Sequence, residues 1–347
     1  VTQVRRLVRL ASVVFAACAM LLAACDGSKS PDTASPSSPE VPGLPEGAVN
    51  SIAWTADDWI YFSYTVPSTS SGLWRQRRDG AAVPEQVDFK LPPESCGSAV
   101  INSLQPLPDG RLAIAARCDI ADGFRSFAAI LDVASLDARV LVQFPSFSGS
   151  GIAVLPDLNG AFVTAEAGGL CQGLALFGAQ GGFRPFKHEV SIGSTTFWPD
   201  GVFRDAQEQP ACGTTGDAGW PALSRDGKML YFVARTAPPE RDNRMTRADA
   251  AVVEVPTDFA SPPRIVVSGI RSPQNAVTLT AHGQTFVCVL GIVDGKSGVW
   301  AFRADDGELV KSWVGPYREL SASPDGSRLL TVKKIGKNLE TEILDLG

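Results

Sequence analysis

The 347-residue chain is acidic: 31 Lys and Arg stand against 37 Asp and Glu, for a formal charge of −6, and 44% of the residues are hydrophobic. An acidic chain with no basic patch cannot neutralise phosphates, so nucleic acid is excluded as a partner. The 33 glycines and 25 prolines, with few long helical periods, point to many short strands punctuated by turns.

The first predicted element is a targeting segment. Arg5, Arg6 and Arg9 precede an apolar run from Leu10 to Leu22 that is shorter than the roughly 20 residues needed to span a bilayer. The run ends in Leu22-Ala23-Ala24-Cys25, which resembles the lipobox of bacterial lipoproteins. That resemblance implies cleavage before Cys25 and acylation of its thiol and amine, which would anchor the chain on the extracytoplasmic side of the cell membrane. Asp26 resembles the signal that retains lipoproteins at the inner membrane where a cell has two membranes. An ordinary secretory signal or a short membrane anchor is the alternative, and either one also exports the body. Loss of the three leader arginines takes the charge from −6 to −9.

Residues 25–47 follow as a lipidated Cys and a Ser-, Pro- and Thr-rich tether, whose composition cannot bury apolar surface. A flexible coil of that length spans roughly 25 Å. Residues 48–347 then form one folded domain.

Within that domain a turn recurs: Asp57, Pro108-Asp109-Gly110, Pro156-Asp157, Arg225-Asp226-Gly227, His282-Gly283 and Ser323-Pro324-Asp325-Gly326. The Asp side chain bonds its own backbone two residues on, and Gly accepts positive φ, so these residues are structural first. Five positions before each turn stand Ile52, Leu104, Ile152, Pro221, Val277 and Leu320, and one position further along stand Ala53, Gln105, Ala153, Ala222, Thr278 and Ser321. That alternation has the period of a strand with one apolar and one small face. A second strand follows every turn, beginning with Ile60–Ser63 and ending with Leu329–Val332, and most units offer two more. Four strands per unit, at spacings of 43 to 69 residues, make a blade, and six blades make an all-β, six-bladed β-propeller of four-stranded antiparallel sheets. The last unit has only three strands, so closure predicts an outermost edge strand around Val41–Val49.

The Ser-Pro-Asp-Gly-x-x-Leu hairpin resembles the WD-repeat-like repeat of the TolB propeller family, over residues 50–347. The resemblance implies the fold. TolB carries an α/β domain ahead of its propeller and no lipobox, so its partners are not carried over, and propellers host many activities.

Five cysteines remain in the body, and in an exported protein they are expected to pair. Links entering a blade and second-strand ends emerge on one propeller face, which favours Cys96 with Cys118 and Cys171 with Cys212 among three connectivities. Each bridge is worth roughly 3 to 4 kcal/mol. Cys288, in an apolar run, reads as a buried free thiol.

That face also carries the two longest insertions. One, about 190–218, predicts a small extra hairpin around Phe197, Trp198, Pro199, Asp200, Gly201 and Phe203; the other, 235–249, holds Arg241, Arg244 and Arg247. Trp and Arg dominate binding hot spots, so these residues, with Trp220, are candidates for a partner surface. The alternative is that the aromatics pin the insertion to the blades. A second candidate site is the ring seven positions before each turn, Asn50, Asn102, Ser150, Gly219, Asn275 and Arg318, placed at the mouth of the central channel where it could bind a small polar ligand or a peptide end, or simply cap strand ends. Glu319 and Trp220 stand one position further along.

Enzyme motifs are missing: His188 and His282 have no neighbouring ligand, so no metal is expected, and no nucleophile elbow or phosphate loop occurs. No cofactor is implied. The sequence therefore predicts a monomeric, membrane-anchored scaffold for another envelope protein, with a small-ligand-binding or catalytic propeller (a lyase or glycosidase) as the alternative.

Overall fold

The computed structural model describes residues 48–65, 72–80, 83–89, 99–120, 123–144, 149–167, 171–204, 216–236, 250–335 and 338–347. All of them fall in one compact unit, 38–347. Cys25, Cys96, Cys212, Arg241, Arg244 and Arg247, with the leader and tether, lie outside the described residues.

Three sheets are four-stranded antiparallel meanders. The first runs β1 (Ala48–Trp54), β2 (Trp59–Thr65), β3 (Gly72–Arg77) and β4 (Glu85–Val87). The second runs β5 (Ala99–Pro106), β6 (Leu112–Ile120), β7 (Gly123–Leu131) and β8 (Ala138–Phe144). The third runs β9 (Gly149–Val154), β10 (Gly160–Ala167), β11 (Cys171–Gly178) and β12 (Phe183–Arg184). A small hairpin, β13 (Val190–Ile192) with β14 (Thr195–Phe197), leads into the single-turn helix α1 (Gly201–Arg204).

A seven-stranded sheet follows: β15 (Asp217–Leu223), β16 (Met229–Arg235), β17 (Ala250–Pro256), β18 (Arg264–Ala281), β19 (Gln284–Val293), β20 (Lys296–Arg303) and β21 (Leu309–Val314). Its long strand β18 pairs with β17 through Arg264–Ile270 and with β19 through Arg271–Ala281, with a register break between Arg271 and Asn275. The strand is therefore the outer edge of one meander and the inner edge of the next. The last sheet, β22 (Tyr317–Ala322), β23 (Arg328–Ile335) and β24 (Asn338–Asp345), has three described strands.

The sheets stand around a common axis like blades. β1, β5, β9, β15, the second half of β18, and β22 each neighbour the next, and β22 returns to β1. Small-faced strands permit this crowding: a side chain on Gly151 would meet Pro221 at 2.8 Å. Between successive sheets lie separate apolar clusters, including Ile114 and Phe127 against Leu73, and Phe162 and Leu174 against Phe232. The ring closes through Ile52, Trp54, Ile60 and Phe62 of the first sheet against Leu330 and Val332 of the last.

The recurrent turns form as their chemistry dictates. Ser323 Oγ donates to Asp325 Oδ1 at 2.5 Å, and Asp325 Oδ1 accepts from the backbone of Ser327 at 3.0 Å. Ser224 and Asp226 repeat the pattern at 2.7 and 3.1 Å. The residue after the Asp has positive φ throughout: Gly110, Gly227 and Gly326, but also Asp58 and Leu158.

Four expectations change. First, Ala48 and Val49 begin the inner strand β1, paired with Thr65 and Tyr64, so they cannot form an outermost strand of the last sheet. Second, the extra hairpin lies at 190–197, ahead of Trp198. Pro199-Asp200-Gly201 looks like the hairpin turn, but the Asp200 carbonyl accepts from Phe203 and Arg204 and starts α1 instead. Third, the fourth and fifth predicted units form one continuous sheet through β18. Fourth, the fifth unit is out of register by one face. Val277 and Leu279 pack toward the last sheet, whereas the corresponding Ile52, Leu104, Ile152 and Leu320 pack toward the preceding one. Its turn, His282-Gly283, is a two-residue hairpin with both φ values positive (50° and 74°), not the longer turn used elsewhere, and a one-residue slip moves every side chain of a strand to its other face.

Candidate functional site

The ring encloses a cavity of about 220 Å³ with wall residues from all the inner strands: Ser51 and Ile52, Ser103 and Leu104, Gly151 and Ile152, Pro221 and Ala222, Asn275 to Thr278, and Leu320 to Ala322. It extends to the turn end of the sheets, where Pro108, Pro156 and Arg225 are exposed and Leu155 and Leu158 are partly buried. Its wall is thus apolar in body and polar at set points.

Those polar points tie sheet to sheet. An inner strand has no partner on its channel side, so side chains supply one. Ser51 Oγ accepts from Leu104 N at 3.0 Å, Gln105 Oε1 from Val154 N at 2.8 Å, and Ser321 Oγ from Trp54 N at 3.2 Å, while Thr278 Oγ1 donates to the Leu223 carbonyl at 2.5 Å. Gln105, Thr278 and Ser321 come from the small-faced column of the repeat. At the turn end Arg225 donates to the Asp325 carbonyl at 2.9 Å, tying the turn after β15 to the turn after β22, and Thr280 N bonds the Gly326 carbonyl at 2.7 Å.

The ring seven positions before the turns falls on a repeated irregularity. Asn50, Asn102, Ser150 and Arg318 are each the unpaired residue of a β-bulge in their strands. In β15 the break moves to Trp220 and Pro221, and in β18 to Ser272–Gln274; Trp220 and Ser272 take positive φ, 51° and 46°. Bulges re-aim side chains and cluster beside functional sites. Asn50 Nδ2 donates to the Ile101 carbonyl at 3.5 Å, and Asn275 Nδ2 to Glu319 Oε2 at 3.1 Å and the Leu320 carbonyl at 3.4 Å, so both bridge to the following sheet. Arg318 is exposed and Asn102 partly buried. Of Asn50, Asn102, Asn275 and Arg318, Asn275 lies in the cavity wall. Burial pushes the Glu319 carboxyl well above the ordinary carboxylate range, partly opposed by the Asn275 hydrogen bond.

The insertion aromatics point inward. Phe197 joins the cluster between β10 and β16, and Phe203 the cluster between the second and third sheets, at 3% and 7% exposure. Trp198 is half-buried, with the Arg204 guanidinium stacked 3.6 Å above its ring. Arg204 is held by the buried Asp200, whose other oxygen accepts from Phe186 N at 2.8 Å. Desolvation raises the Asp200 pKa against the lowering pull of Arg204. Trp220 lines the cavity and lies 5.3 Å from Arg235, which forms a two-toothed, fully buried pair with Asp217 at 2.6 and 2.5 Å.

Cys118 is disulfide-bonded, and Cys288 is a buried free thiol whose pKa is raised by desolvation. Among the described residues no group of three or more His, Cys, Asp and Glu could hold a metal, and no helix is long and apolar enough to cross a membrane.

No family model matches the sequence, and no curated protein matches it. Solved structures do. TolB from Acinetobacter baumannii is similar over 83% of this chain at 15% identity and a TM-score of 0.51. The fold is that of a β-propeller. This chain covers 61% of that TolB chain. A gluconolactonase from Xanthomonas campestris, XC5397, is similar over 86% of this chain and 87% of its own at 14% identity and a TM-score of 0.50. A putative TolB from Agrobacterium tumefaciens is similar over 86% and 90% at 13% identity and 0.48. At these identities the likeness concerns the fold alone. Sequence reasoning missed the turn-side mouth, because Pro108, Pro156 and Arg225 read there as parts of turns.

Proposed function

We propose that this chain is a six-bladed propeller, exported and lipid-anchored through Cys25, that serves as an envelope scaffold by taking a short segment of a partner protein into its central cavity. The six-blade reading treats β18 as shared between the fourth and fifth blades and the three-stranded sheet as the sixth. The observation that carries the binding reading is the cavity itself, with apolar walls, polar side chains from β1, β5, β18 and β22 and an exposed Pro108/Pro156/Arg225 mouth. Such a concave, mostly apolar space with a few fixed polar groups is the usual form of a binding site. The inward packing of Phe197 and Phe203 favours the cavity over the insertion as the place of contact.

The test is photo-cross-linking of the lipidated protein in its native membrane, with a benzophenone side chain at Pro108 or Pro156, and at Val83 on the periphery as a control. A reproducible protein linked from the mouth and not from Val83 supports the scaffold. No link from the mouth, or equal links from Val83, overturns it.

A further inference from the structure

Glu319 is the one carboxylate of the inner strands without a cationic partner. The charged residues of those strands are Asp217, Arg271, Arg318 and Glu319, and Asp217 is paired with Arg235. Glu319 is partly buried, and desolvation pushes its carboxyl well above the ordinary carboxylate range. Its hydrogen-bond partner Asn275, 3.1 Å away, and its neighbour Leu320 line the cavity wall.

The charged groups nearby do not answer it. Arg318 and Arg271 are exposed, and Lys333, on the adjacent β23, is engaged by Glu342 and lies 4.8 Å from the Tyr317 ring. No charged group contributes to the state of the Glu319 carboxyl; its hydrogen-bond donor is the neutral Asn275 amide. A desolvated carboxylate without a counter-charge is costly, so it stands either protonated or poised for a cation brought from outside. A divalent metal is a poor occupant, because such ions take six or more oxygens and this site offers one carboxylate.

Resting on the cavity-binding reading above, we infer that Glu319 receives a monovalent organic cation, the guanidinium or ammonium of the segment that enters the channel. Asn275 fixes the carboxylate for it.

The experiment uses the full mature chain in detergent micelles, labelled with carboxyl-¹³C glutamate, with the Glu319 signal identified by its loss in Glu319→Gln. The probes are arginine N-methylamide and its neutral isostere citrulline N-methylamide. The expected result is that the arginine probe shifts the Glu319 signal and moves its titration to lower pH, that it binds at least tenfold more tightly than the citrulline probe, and that the preference vanishes in Glu319→Gln while the thermal unfolding profile stays intact. Equal binding of both probes, binding of neither, or an unmoved Glu319 signal overturns the inference. Partner cross-links from Pro108 that persist undiminished in Glu319→Gln also overturn it, while leaving the scaffold reading standing; loss of those cross-links from the unsubstituted protein removes the scaffold reading itself.

Discussion

At the scale of single residues, the repeated turn stores much of the fold's specification in one carboxylate. Asp325 accepts from Ser323 and Ser327, and these bonds hold its pKa at about 2, against 3.8 ordinarily. Because the folded value is depressed, its stabilising contribution is complete above the unfolded pKa and disappears as pH falls through the folded one. Asp325 is exposed, so solvent screens much of the shift and the hydrogen bonds carry the effect, on the order of 1 kcal/mol. Asp325→Asn is therefore expected to lower the melting temperature at pH 7 by a few degrees, with the two proteins converging between pH 4 and pH 2. A constant difference across that range would mean that the carboxylate contributes through geometry and not charge.

At the scale of elements, strand identity was legible and strand partnership only partly so. Alternation of apolar and small residues located the inner strands, because each is sandwiched between neighbouring sheets. The same alternation could not reveal that Thr278, not Val277, faces the preceding sheet, since both residues fit a half-buried strand and only the short His282-Gly283 hairpin decides the phase. Nor could Pro199-Asp200-Gly201 be told from a hairpin turn: the Arg204–Asp200 pairing that makes it a helix start depends on Phe186, 14 residues before Asp200. The candidate ring was legible as a column and illegible as bulges, for which the sequence has no marker. Phe197 and Phe203, read as partner contacts or pins, lie in the core. Phe197→Ala is expected to cost about 3–5 kcal/mol in urea unfolding, as for other buried aromatic truncations. A loss below 1 kcal/mol would show that the insertion is dispensable to the blades and return its aromatics to the surface candidates.

At the scale of the whole molecule, a ring of sheets is only as stable as its weakest joint. Most joints bury a broad set of residues from successive sheets, whereas the joint between the last sheet and the first rests on the short cluster of Ile52, Trp54, Ile60, Phe62, Leu330 and Val332, helped by the Ser321–Trp54 hydrogen bond. It is also the place where sheets remote in sequence must meet, so loop closure opposes it most strongly. Opening should therefore begin there. Leu330→Ala removes a fully buried side chain, at about 2–5 kcal/mol, and is expected to speed amide exchange in β1 and β22 well before exchange in β6 and β10. Ile114→Ala, equally buried between the first and second sheets, should cost a similar amount without that local bias, because its joint is reinforced by chain connectivity. If both variants accelerate exchange uniformly, the ring unfolds as one unit and the closing joint is no weaker than the rest. If only Leu330→Ala opens β1 and β22, the cavity wall they share gives the molecule a built-in seam through which a bound segment could enter or leave.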